Sequence, residues 1–153
     1  MNRRPIVLAV VAAAAALLAA PLAPAAARAQ AKTHKVAIHV DESDPARINL
    51  ALNNVENVKK YYAAKGEKIA VEVVAYGPGL VMLRADTSPV KDRIAAMSLE
   101  YAELRFSACE NTRAGMAKRE GKEVPLVKEA KSVPSGVIRL IELQEQGWSY
   151  IRP

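Results

Sequence analysis

The 153-residue sequence holds a single cysteine, Cys109, so it forms no internal disulfide, no four-cysteine zinc site and no dithiol that cycles by itself. Its two histidines, His34 and His39, stand five apart, which places them on opposite faces of any continuous strand and argues against a metal site built on the pair. With 7 Gly and 9 Pro the chain is neither collagen-like nor low in complexity. No internal repeat at a period of 20 to 50 residues is visible. Beyond position 29 no apolar run approaches the ~18 residues of a membrane span. Its length suits one domain and excludes a multi-domain machine.

The net charge of +6 overstates the basic character of the folded part. Arg3, Arg4 and Arg28 stand in an N-terminal stretch that has no acid, so Gln30–Pro153 carries only +3. Within it, Lys118, Arg119 and Lys122 are offset by Glu120 and Glu123, which reads as a solvated helix end and gives no nucleic-acid surface.

Arg3 and Arg4 precede an unbroken apolar run from Ile6 to Ala20, followed by Pro21, Pro24 and Ala27-Arg28-Ala29. A basic start, a short apolar centre and a small-residue cleavage pattern describe a secretory signal peptide over residues 1–29. The run of 15 residues is short against the ~20 that a transmembrane helix needs. Cleavage after Ala29 is expected, with no stable membrane anchor afterwards and a periplasmic destination. General secretion is the default route, since an arginine pair alone is weak evidence for twin-arginine export.

Downstream, Lys35 to Val40 reads as a buried strand, and Asp44-Pro45 supplies a cap and first residue for a helix with a stripe of Ile48, Leu52, Val55 and Tyr62. Ile69 to Ala75 is a second strand whose one polar residue is Glu72, ending in a turn at Tyr76-Gly77-Pro78-Gly79. Ser88-Pro89 opens a helix with a stripe of Val90, Ile94, Met97 and Tyr101, and Leu104 to Cys109 is the third strand. A helix starting near Asn111, an extended segment over Leu126 to Val133, a helix over Val137 to Gln146 and a strand over Trp148 to Ile151 complete the chain. Strands alternating with helices of ten or more residues predict a single α/β domain, three layers deep, on a mostly parallel sheet.

Ligands of such sheets gather beyond the carboxyl ends of the strands. That rule selects His39-Val40-Asp41, Tyr76-Gly77-Pro78-Gly79, Cys109-Glu110-Asn111-Thr112 and Val133-Pro134-Ser135-Gly136. At a strand end feeding a helix, Cys109 faces unpaired N–H groups and a positive dipole end, both of which favour thiolate. Arg113 would add positive charge, and Glu110 opposes it. The plain alternative is a small buried hydrophobe.

His39 would serve Cys109 as base or cationic partner if their strands are neighbours; otherwise it is a core histidine bonded to backbone. Tyr76, Gly77 and Gly79 would bring backbone amides near an anion, although the stretch lacks the lysine and spacing of a phosphate loop, and no cofactor is expected. Asn49, Asn53 and Asn57 form a polar stripe, read as a solvated face or, more sharply, a subunit interface.

Taken together, HVDESDPARINLALNNVENV, VEVVAYGPG, FSACENTR and VPSGVIRLIELQEQGWSYIRP resemble the secreted branch of the DsrE/DsrF-like family over Lys35–Pro153. The resemblance implies a five-stranded parallel sheet and assembly into homo- or hetero-oligomers. In cytoplasmic members a cysteine after a middle strand carries sulfur as a persulfide, and Cys109 occupies the matching position. Two functions are therefore expected in competition. One is a sulfur carrier working through Cys109 with a donor or acceptor protein, and the other is a non-catalytic binding or assembly module in which Tyr76, Asn111, Thr112 and Arg113 line the same rim.

Overall fold

The computed structural model describes residues 33–153; residues 1–29, on which the expected signal peptide falls, lie outside them. Five strands run β1 Thr33–Val40, β2 Lys68–Ala75, β3 Leu104–Cys109, β4 Ala130–Val133 and β5 Ser149–Ile151. Between them lie α1 Pro45–Ala64, a 3-10 helix Gly77–Leu83, α2 Lys91–Glu100, α3 Glu110–Glu120 and α4 Gly136–Glu145. Every strand pairing is parallel, in the order β4-β3-β2-β1-β5. The single α/β domain with helices on a parallel sheet is the architecture the alternating pattern predicts.

The order also fixes the layers. The first three crossovers step from β1 toward β4, and right-handed connections put their helices on one face. The fourth steps back across the sheet to β5, so α4 covers the opposite face. Alternation along the strands agrees with this arrangement. Val36, Ile38, Val40, Val71, Val73, Phe106 and Ala108 join the main core with Ile48, Leu52 and Val55 of α1 and Ile94 of α2. The intervening Ala37 and Val74 pack with Leu140 and Leu143 of α4. Each fully buried Ile, Leu or Phe removed from water contributes ~1.5–3 kcal/mol, so the first face carries most of the stability.

Local chemistry sets the boundaries. Asp44 caps α1 by accepting from the Ala46 amide at 2.9 Å, with Pro45 in its first turn, and Gly66 (φ 68°) ends the connection to β2. The Tyr76–Gly79 stretch is no simple turn: it opens the 3-10 helix, which buries Leu80, Met82 and Leu83. Gly79 is a packing glycine, since a Cβ there would overlap the carbonyl of Val40. The segment from Leu126 to Val133 is a strand only from Ala130, because Leu126 turns away to a lone antiparallel bridge with Arg84. His34 belongs to β1; it meets Glu67 at 2.9 Å and stacks on Tyr62.

Candidate functional site

The α4 face of the sheet differs from its apolar partner. His39, Glu72 and Ser107 are buried there and make a polar strip across β1, β2 and β3, with Cys109 two residues beyond Ser107 at the end of β3. Among the described residues, Arg84 is the one buried polar residue that lies elsewhere, held by Asp86 and Glu120. One short helix, α4, covers this polar strip.

Cys109 ends β3 and is the N-cap residue of α3. Its register partner on β4 is Val133, so the Pro134-Ser135-Gly136 turn rises beside it and brings the first turn of α4 to the sulfur. The sulfur therefore sits where two helix N-termini converge. It makes no short capping bond of its own. Burial, at 4% exposure, pushes its pKa up, but the Thr112 hydroxyl and the amides of Gly136, Thr112 and Asn111 stabilise the anion more, leaving the thiol below its ordinary value. Thr112 is itself held by the Gly77 amide, which donates to its Oγ1 at 3.0 Å. Gly77 adopts φ 52°, a conformation glycine takes without strain.

His39 and Cys109 are not on neighbouring strands, because β2 lies between β1 and β3. Tyr76, just past β2, fills the interval: its ring stacks on His39 with centroids 4.5 Å apart, and its other neighbour is Gly136. His39 Nδ1 lies 2.8 Å from the Tyr150 hydroxyl of β5, so its partner is a side chain and not the backbone of the core-histidine alternative. Nε2 is buried without a hydrogen-bond partner, 3.9 Å from an oxygen of Asp41. Burial lowers the His39 pKa; Asp41 opposes this and Arg152 adds to it. A small cavity of about 10 Å³ is lined by His39, Asp41, Arg47 and Pro153.

The remaining predicted residues divide. Asn111 and Thr112 border a groove of about 540 Å³ between the 3-10 helix and α3, together with Gly77, Pro78, Met116 and Arg119. Arg113 is taken up by Glu110 at 3.0 Å, and Glu110 also accepts from Ser132, so the two opposing charges neutralise each other locally. The asparagine stripe is partly engaged: Arg93 of α2 donates to Asn49 and Asn53.

Sequence reading missed the centre of the strip. Glu72, 1% exposed, accepts from Arg139 Nε at 2.7 Å and from a terminal nitrogen at 2.8 Å, and takes a third bond from Ser107 at 2.7 Å. Burial raises the Glu72 pKa, but these donors outweigh it and hold the carboxylate below its usual range. A charged residue inside the apolar run Ile69–Ala75 was the available signal. Tyr150 and Arg152, which complete the surroundings of His39 and Asp41, carry no local signature. Among the described residues no cluster of His, Cys, Asp and Glu has the makings of a metal site, and no helix is long and apolar enough to cross a membrane.

A family model described as the DsrE/DsrF-like family matches residues 23–153. The solved structure of a protein of unknown function from Methanobacterium thermoautotrophicum is 34% identical, with a TM-score of 0.66, over 78% of this chain and 99% of that one. No curated protein matches the chain significantly.

Proposed function

The chain belongs to the DsrE/DsrF-like family, and from that premise we propose that it is an exported sulfur carrier in which Cys109 holds a persulfide. The observation that carries the proposal is the position of Cys109 at the N-cap of α3 and beside the first turn of α4, where the Thr112 hydroxyl and the amides of Gly136, Thr112 and Asn111 favour the anion against the effect of burial. The thiolate attacks the outer sulfur of a donor persulfide, R–S–SH. A new S–S bond forms at Cys109, the donor S–S bond breaks, and the donor leaves as R–S⁻ with the bonding pair. Atoms and electrons balance without an added oxidant. The same amides then stabilise the negative charge of the persulfide. Asn111 and Thr112, next to Cys109 in the chain, border a groove whose lining does not include Cys109 itself.

Export to the periplasm rests on the pattern of Arg3, Arg4, Ile6–Ala20 and Ala27-Arg28-Ala29. Homo-oligomerisation is supported by the outer side of α4 and the edge strand β5. There Val137, Ile138, Ile141, Tyr150 and Ile151 are 37% to 52% exposed.

Intact-mass analysis of protein treated with a persulfide donor tests the carrier role. One added sulfur is expected, abolished by Cys109→Ser, and no adduct at Cys109 removes the proposal. The second reading, a binding or assembly module, draws support from the 4% exposure of Cys109. It predicts a thiol that resists alkylation, and Cys109→Ala protein that assembles normally while Tyr76 or Asn111 substitutions abolish assembly.

A further inference from the structure

Gly136 opens α4 three residues after Val133, the register partner of Cys109, so the approach of its amide to the sulfur depends on where α4 is set down along the sheet. The apolar cluster that holds α4 is small, comprising Ala37 and Val74 from the sheet and Leu140 and Leu143 from the helix, with Tyr76 and Trp148 at its margins. Contacts among such smooth side chains are non-directional and allow sliding. Two features are directional. Gly136 is pressed on the Tyr76 ring so closely that an added Cβ would come within 2.7 Å of a ring carbon. Arg139, three residues along the same helix, forks onto both oxygens of Glu72, and Ser107 of β3 fixes the carboxylate from the other side.

A bidentate guanidinium–carboxylate pair is geometrically exacting, and a buried pair is a poor source of net stability whose best attested use is to specify register. Glu72 is central in the sheet: its register partners are Ala37 on β1 and Arg105 on β3.

We infer that the Glu72–Arg139 pair, buried on its carboxylate side, is a positioning device that fixes the advance of α4 along the sheet and so holds the Gly136 amide against the sulfur of Cys109. Neither residue is catalytic; both act through the helix. The inference deepens the thiolate reading of Cys109 and rests on it.

Direct electrostatics and positioning predict opposite signs, which makes the inference testable. Replacing Glu72 by Gln removes a negative charge, and through space alone that favours the thiolate and lowers the Cys109 midpoint. Loss of the grip withdraws the amide and raises it. The midpoint is read from thiolate ultraviolet absorbance against pH, each variant referenced to the same variant carrying Cys109→Ser so that tyrosine ionisation cancels. We expect Glu72→Gln to move it upward by about half a unit or more, on the scale of a lost donor to a charged group. A midpoint that stays or falls overturns the inference.

Arg139→Lys provides the second arm should Glu72→Gln fail to fold. It keeps the charge and loses the fork, so an upward shift supports positioning and an unmoved midpoint contradicts it. Arg93→Lys is the control, because Arg93 binds Glu56, Asn49 and Asn53 on the other face of the sheet and should leave the midpoint unchanged. The persulfide adduct is scored separately. No adduct with a responsive midpoint ends the carrier reading and spares this one, whereas an adduct with an indifferent midpoint does the reverse.

Discussion

The ring of His39 lies 4.5 Å from that of Tyr76 and inclined to it by 22°, so the ends of β1 and β2 meet in a stacked pair whose far side faces the turn into α4. Histidine and cysteine are thus linked through an intervening aromatic ring and not by contact. Stacking and the Tyr150 hydroxyl hold the imidazole in a buried slot that favours its neutral form.

That slot predicts a pH dependence of stability. The folded His39 pKa lies below the ordinary 6.5, so the unfolded chain binds the extra proton first as pH falls. The contribution of His39 is therefore fully present above about pH 6.5 and is lost as pH drops toward and through the lowered value. Denaturant melts between pH 7.5 and about pH 5 should show a decline in wild-type protein that His39→Gln flattens. Equal slopes in the two proteins would contradict the assignment.

Tyr150→Phe removes the partner of His39 Nδ1 and adds nothing in its place. A loss of about 1 kcal/mol is expected from one part-buried hydrogen bond. In the His39→Gln background the same change should cost measurably less, and additive costs would show that the two groups are not coupled.

Gly136→Ala forces a methyl group into the Tyr76 ring. Overpacking at a close contact costs ~1–3 kcal/mol, and the strain should be largely relieved by Tyr76→Ala in the double-mutant cycle. Strict additivity of the two substitutions would argue against the contact.

The buried ion pair gives an asymmetric prediction. Arg139→Met strands the Glu72 carboxylate at 1% exposure, where an uncompensated buried charge costs ~3–5 kcal/mol. Glu72→Met leaves a guanidinium that is already 24% exposed and can turn toward water, so its cost should be clearly smaller. Chemical denaturation ranks the two, and the reverse order would contradict the account.

Much of this fold was legible because its elements announce themselves locally. The Asp44-Pro45 cap, the Ile48, Leu52, Val55 stripe and the run Ile69–Ala75 each express one period and one boundary. The 3-10 helix was hidden by its own punctuation: Gly77, Pro78 and Gly79 signal a break, while the burial of Leu80, Met82 and Leu83 behind them is decided by the sheet. The surroundings of His34 were not legible, because its partners, Tyr62 and Glu67, come from the α1 helix and the connection after it. Cys109 was found from its place at a strand end. The Glu72–Arg139 pair was not, since the two residues stand 67 apart and nothing short of the β4–α4–β5 crossover brings them together.

The protonation state of Cys109 tests the central claim most directly, and the alkylation rate of the native protein against pH reads it, assignable because the chain has one cysteine. The account predicts a rate that reaches half its plateau at a lower pH than the same thiol shows in denaturant-unfolded protein, where its ordinary value is ~8.5. A half-point at or above that of the unfolded protein would contradict it.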